Sequence, residues 1–163
     1  MDYPFIPKST VKMKRGQFWP IRLPNAKYAC GMVLDVVHES RTSFLAGLLD
    51  WTSSEKPTRE ALIGVEVQEQ GVGHIKMIIE AYGEITGELV EGEKQPSAIL
   101  WTDHRGGREW GVYQGLELVG TVDKIQAEQY PRRRTWGFSV INNLAARRFA
   151  EQVVPPKSDR AGG

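Results

Sequence analysis

RGQFWPIRLPNAKYACGMVLDVV, residues 15–37, decides how the chain folds. Two β-rich runs flank Pro24-Asn25-Ala26. In the first, Trp19, Ile21 and Leu23 alternate with Phe18, Pro20 and Arg22, the two-residue period of a strand. Pro20 lacks the N–H a ladder needs, which places this strand at a sheet edge or a bulge. Pro24 presets φ and Asn25 tolerates left-handed backbone, so the three residues suit a tight turn. The second run, Tyr28–Val37, is apolar on both faces until Asp35, as a central strand is. Gly31 offers a point for a sharp bend.

Working outward, His38–Arg41 is a polar turn and Thr42–Trp51 a third strand. Leu45, Leu49 and Trp51 share one face of it, and Phe44, Ala46 and Leu48 the other. Short turns make these three an antiparallel meander. Residues 1–14 read as an N-terminal arm with a short strand near Val11. Thr58 is placed to N-cap a short helix. Ile63–Gln68 reads as a brief strand that Gln70–Gly73 breaks. Ile75, Ile78, Ile79 and Tyr82 then follow helical spacing, and Gly83 ends the helix. Ser97–Thr102 and Glu109–Tyr113 form a hairpin across Asp103–Arg108, and Leu116–Val122 adds a strand. Thr135 is placed to N-cap a last helix striped by Trp136, Val140, Leu144 and Ile141, Ala145, Phe149. Val154-Pro155-Pro156 stops the order and leaves 154–163 as a disordered tail. The expected fold is α+β: a strongly bent antiparallel sheet, an SH3-like partial barrel, carrying two main helices in a single domain over 15–153.

A chain of 163 residues suits one domain. At that size roughly two-thirds of the unfolded surface is buried, so neither metal nor disulfide is needed to fold. Cys30 is the only cysteine, which excludes an internal disulfide. It sits in an apolar run with no His or cation beside it and reads as core rather than nucleophile. No apolar leader follows Met1 and no stretch suits a membrane helix, so the expected location is the cytoplasm. Net charge is only +1, yet residues 1–30 hold six Lys/Arg against one Asp, while residues 55–93 hold nine Glu against three Lys/Arg. Residues 124–163 are basic again, with eight Lys/Arg against three Asp/Glu.

The constellations that carry chemistry are thin. His38, His74 and His104 stand in no metal-ligand spacing, and Asp103-His104 supplies two ligands where a site needs three or four. They read as turn residues of the hairpin loop. No Gly-x-Ser-x-Gly elbow is present. Gly71-Val72-Gly73 lacks the Gly-Lys-Ser/Thr ending of a phosphate loop and reads as a strand-to-helix turn. Catalytic residues, metal and cofactor are therefore expected to be absent. Two binding surfaces remain. Arg132, Arg133 and Arg134 lie between Tyr130 and Trp136, a combination that suits phosphates and bases. Glu66, Glu69, Glu80, Glu84 and Glu88 form an acidic stretch that suits a basic protein.

Several segments resemble the immunity protein 26 family of bacterial polymorphic toxin systems. GQFWPIRLPNAKYACGMVLDV is similar to the opening strands of that family, and SFLAGLLDW to a following short apolar strand. QGVGHIKMIIEAYGEITG and TWGFSVINNLAARRF carry the likeness less specifically. The resemblance spans most of residues 15–149 and implies an antitoxin that binds a cognate toxin domain and blocks it without chemistry of its own. A toxin of nuclease type, with a basic substrate groove, would meet the acidic stretch. A nucleic-acid-binding barrel, using the Arg132–Arg134 run, is the alternative.

Overall fold

The computed structural model of the protein describes residues 2–151. Its strands are β1 (Gln17–Arg22), β2 (Tyr28–Val36), β3 (Ser43–Ser53), β4 (Val67–His74), β5 (Gly87–Glu88), β6 (Leu100–Gly106), β7 (Glu109–Gln114), β8 (Glu117–Val122) and β9 (Thr135–Trp136). The helices are α1 (Arg59–Leu62), α2 (Lys76–Ala81), α3 (Lys124–Ala127) and α4 (Val140–Ala146), the last running into a π-helical turn, Arg147–Glu151. None is long and apolar enough to cross a membrane.

The fold is α+β, with two sheets where one was expected. A six-stranded sheet runs β5-β1-β2-β3-β4-β9, and a separate three-stranded sheet runs β6-β7-β8. The first is mixed rather than antiparallel, because β9 pairs parallel to β4. It does not close into a barrel. Among the described residues four short helices stand where two main ones were expected: α2 and α4 are those two, shortened, and α1 starts at the expected Thr58 cap, whose side chain accepts from the Ala61 N–H.

The opening hairpin behaves as its residues dictate. Phe18 to Arg22 pair antiparallel with Met32 to Tyr28. Beyond Phe18 the outer side of β1 is unpaired among the described residues, since β5 reaches only Gln17 and Phe18, and Pro20 occupies that side. In the turn it is Ala26, not Asn25, that takes the left-handed conformation, at φ 67°. Asn25 instead accepts a hydrogen bond from the Lys27 N–H through Oδ1, the local turn an Asn side chain makes well. β2 is central, and its pairing with β3 shifts register beside Gly31, where a Cβ would strike the Trp19 indole.

The predicted alternation sorts two cores. Trp19, Ile21, Phe44, Ala46 and Leu48 join Met77, Ile78, Ile141 and Ala145 on the helix side. Phe18, Cys30, Met32, Leu45 and Leu49 face Leu62 and Trp101 on the other. Each such side chain, fully buried, stabilises the fold by about 1.5–3 kcal/mol.

Several local expectations need correction. Gln70–Gly73 does not break a strand; it is the middle of β4. The strand runs through two glycines because the Trp136 ring covers the place of a Gly71 Cβ, and the Trp136 carbonyl lies 2.9 Å from that of Gly73. Trp136 is thus on β9, not on a helix. Thr135 lies on β9 and α4 begins after Ser139; Ile141 and Ala145 are buried on it, Val140 and Leu144 pack half-buried against the same core, and Phe149 follows on the π-helical turn. On α2 the buried residues are Met77, Ile78 and Ala81, while Ile79 turns outward; Gly83, at φ +110°, ends the helix as expected.

The N-terminal residues lie against the helix-side core. Phe5 and Ile85 exchange backbone hydrogen bonds of 3.0 and 2.9 Å. Tyr3 donates to Glu88, and the buried Gln17 ties Tyr3 to the Lys12 carbonyl. Around Val11 the chain forms a 3-10 turn, Thr10–Lys12, capped by Ser9, rather than a strand. The tail expected at 154–163 lies outside the described residues.

Candidate interaction surface

The three-stranded sheet is seated on the larger one through Trp101. Its indole N–H donates to the Gly115 carbonyl at 2.6 Å, and the ring is 2% exposed. Gln70 on β4 reaches across to Ile99, donating to its carbonyl at 3.0 Å and accepting from its N–H at 2.6 Å. A side-chain amide that satisfies both backbone groups of one residue stands in for a strand neighbour.

The Arg132–Arg134 run lies in a ribbon that stitches the sheets together. Thr102 of β6 donates to the Pro131 carbonyl and accepts from the Arg133 N–H. Two residues later the same ribbon pairs with β4, where the Val72 N–H donates to the Arg134 carbonyl. The side chains alternate as an extended chain requires. Arg132 stacks on Trp110 at 4.4 Å, and Arg133 lies over Tyr113 at 5.2 Å and Trp101 at 5.9 Å. Arg134 meets Glu69 at 3.5 Å. All three guanidinium groups are engaged within the chain.

The structure does not gather the five glutamates on one face. Glu69 is taken by Arg134, and Glu80 accepts from the Ser139 hydroxyl at 3.2 Å. Glu88 is on β5, four strand steps from Glu69 on β4, or roughly 19 Å at the usual spacing. Burial pushes the Glu88 carboxyl up, but hydrogen bonds from Tyr3 and Lys14, with the Lys14 charge, win and hold it below its usual range. Glu66 is exposed just before β4, and Glu84 is half-buried after α2.

Asp103 and His104 belong to β6 rather than a loop; the turn is Gly107-Arg108. Asp103 accepts from the His104 N–H at 2.9 Å, and His104 Nε2 is 3.0 Å from the Gly107 carbonyl. The ring meets Trp110 edge-on at 4.9 Å. Both side chains thus close their own hairpin. Among the described residues no three His, Cys, Asp or Glu come together to hold a metal. Burial pushes the Cys30 thiol well up, away from the reactive thiolate.

The most open element is β8. Residues Glu117 to Thr121 are all exposed, Leu118 by 41% and Val119 by 54%. One edge of β8 pairs with β7, with a bulge at Val119; among the described residues the other edge has no partner strand. Beyond it α3 is held by a capping box, in which Asp123 accepts from the Gln126 N–H and Gln126 from the Asp123 N–H. α3 buries Ala127 and leaves Ile125 76% exposed. The sequence announced the strand but not this exposure. Its composition gave no warning, since one charge, Glu117, among Leu, Val, Gly and Thr reads as a buried strand. No family model, curated protein or solved structure matches the chain.

Proposed function

We propose that this chain is a non-enzymatic immunity-type protein that binds and neutralises a toxin domain in the cytoplasm. The observation that carries the reading is β8, an edge unpaired among the described residues, whose Leu118 and Val119 stand in solvent. An open edge with exposed apolar side chains invites an added strand from another chain; backbone hydrogen bonds supply affinity and the alternate side chains selectivity. The resemblance to immunity protein 26 supplies the class of partner. The strand run β5-β1-β2-β3-β4, in which the fifth strand returns beside the first, supports the SH3-like part of the reading. The lone, buried Cys30 suits a reducing compartment.

The nucleic-acid alternative asks the Arg132–Arg134 run to face phosphates. Its stacking on Trp110, Tyr113 and Trp101 and its pairing with Glu69 favour a structural role for those charges. The acidic docking surface keeps Glu66 and Glu84 as contributors, with Glu69, Glu80 and Glu88 already partnered. The test is co-expression with the product of the neighbouring gene. A toxic product that co-purifies with this protein, and whose toxicity it relieves, is the expected result. A product that is harmless or does not bind removes the reading.

A further inference from the structure

A second surface lies far along the chain from β8, on the N-terminal residues. Phe5, Ile6 and Val11 line a shallow groove there, with Ile6 57% and Val11 68% exposed. Lys8, Lys12 and Arg41 line the same groove. Among the described residues, none of these three cations is within 4.0 Å of a carboxylate. That sets them apart from Lys14 and Arg15 just beyond, which pair with Glu88 and Asp35.

The groove is fixed in shape. Thr10 is buried beneath it, donating its N–H to the Arg41 carbonyl at 2.7 Å and its hydroxyl to the Ser40 carbonyl at 2.9 Å. Ser9 caps the turn that presents Val11 and Lys12. The Phe5–Ile85 hydrogen bonds anchor its other end. A surface ordered before binding loses less entropy when a ligand arrives.

We propose that this groove docks an acidic peptide segment of a partner protein, with an apolar side chain seated between Ile6 and Val11 and flanking carboxylates on Lys8, Lys12 and Arg41. Charge complementarity selects that occupant. Three unpaired cations around an apolar floor repel a basic segment and give a neutral one no gain over water. The proposal does not depend on the β8 reading, since it concerns separate residues and a ligand of different character.

The test uses the full chain and a fluorescein-labelled peptide, Asp-Glu-Leu-Phe-Glu-Asp, followed by anisotropy at low salt. A control peptide carries Asn and Gln in place of Asp and Glu. Saturable binding of the acidic peptide, at least ~10-fold tighter than the control and weakened by added salt, is expected. Lys8→Glu with Lys12→Glu should weaken it ~10-fold or more, while an unchanged melting temperature shows that these exposed positions leave the fold intact. Val11→Asp should weaken it as well. Equal affinity for both peptides, no binding, or indifference to the charge reversal would each overturn the proposal. So would co-sedimentation with phosphatidylserine vesicles without peptide binding, which would make the groove a membrane-surface contact.

Discussion

β1 and β8 are both six-residue strands, yet Gln17 to Ile21 are all buried and Glu117 to Thr121 all exposed. The difference is one of position. β1 lies between β5 and β2, with a core on each face. β8 ends a sheet, with one neighbouring strand among the described residues. Side chains on β1 act on stability. Those on β8 are exposed and add little to either core, which is what the proposed recognition role requires.

The sharpest way to break this contrast is Trp19→Ala. Trp19 is fully buried against Phe44 and Gly31, so its loss should cost ~3–5 kcal/mol in urea unfolding. A loss comparable to that of a surface change would mean that the larger sheet is not the stable core. Next is the seam. Arg133→Ala removes the stacking on Tyr113 and Trp101, worth ~0.5–1 kcal/mol at an exposed site. Hydrogen exchange should quicken in β6 and β7 and stay unchanged in β2. Equal quickening everywhere would show that the two sheets open as one unit.

A smaller effect concerns the N-terminal residues. The Glu88 carboxyl sits below its ordinary 4.5 in the folded protein. Its ionised form therefore favours folding at neutral pH, and that contribution disappears as pH falls through the folded value. Melting temperatures should separate wild type from Glu88→Gln at pH 7 and draw together as the pH is lowered through the carboxylate range. A gap that persists in acid would rule out the charge as its source. The smallest effect on stability belongs to Val119→Lys, within ~0.5 kcal/mol of wild type; a large loss would show that β8 is structural after all.

Much of the larger sheet was legible because strand alternation reports burial directly. Trp19 and Ile21 part from Phe18, and Phe44, Ala46 and Leu48 from Leu45 and Leu49, as the period of two requires. What failed depended on distant partners. Gly71 and Gly73 read as breakers until Trp136, more than sixty residues on, is laid over them. Trp136 in turn read as helical because its spacing to Val140 fits a helix, whereas its place is set by pairing with β4. The same holds for the candidate sites. The glutamates are close in sequence but are spread from β4 to β5 by the chain path, and the arginines find aromatic partners on β6 and β7. The exposure of β8 depends on which strand ends a sheet, which periodicity does not encode.

The most direct test of the proposed neutralisation is whether the chain binds the product of the neighbouring gene and protects cells from it, compared between wild type, Val119→Lys and Glu66→Lys. Recognition through the β8 edge predicts that Val119→Lys folds normally yet loses binding and protection, while Glu66→Lys keeps most of both. Full protection by Val119→Lys, with binding unchanged, would contradict it.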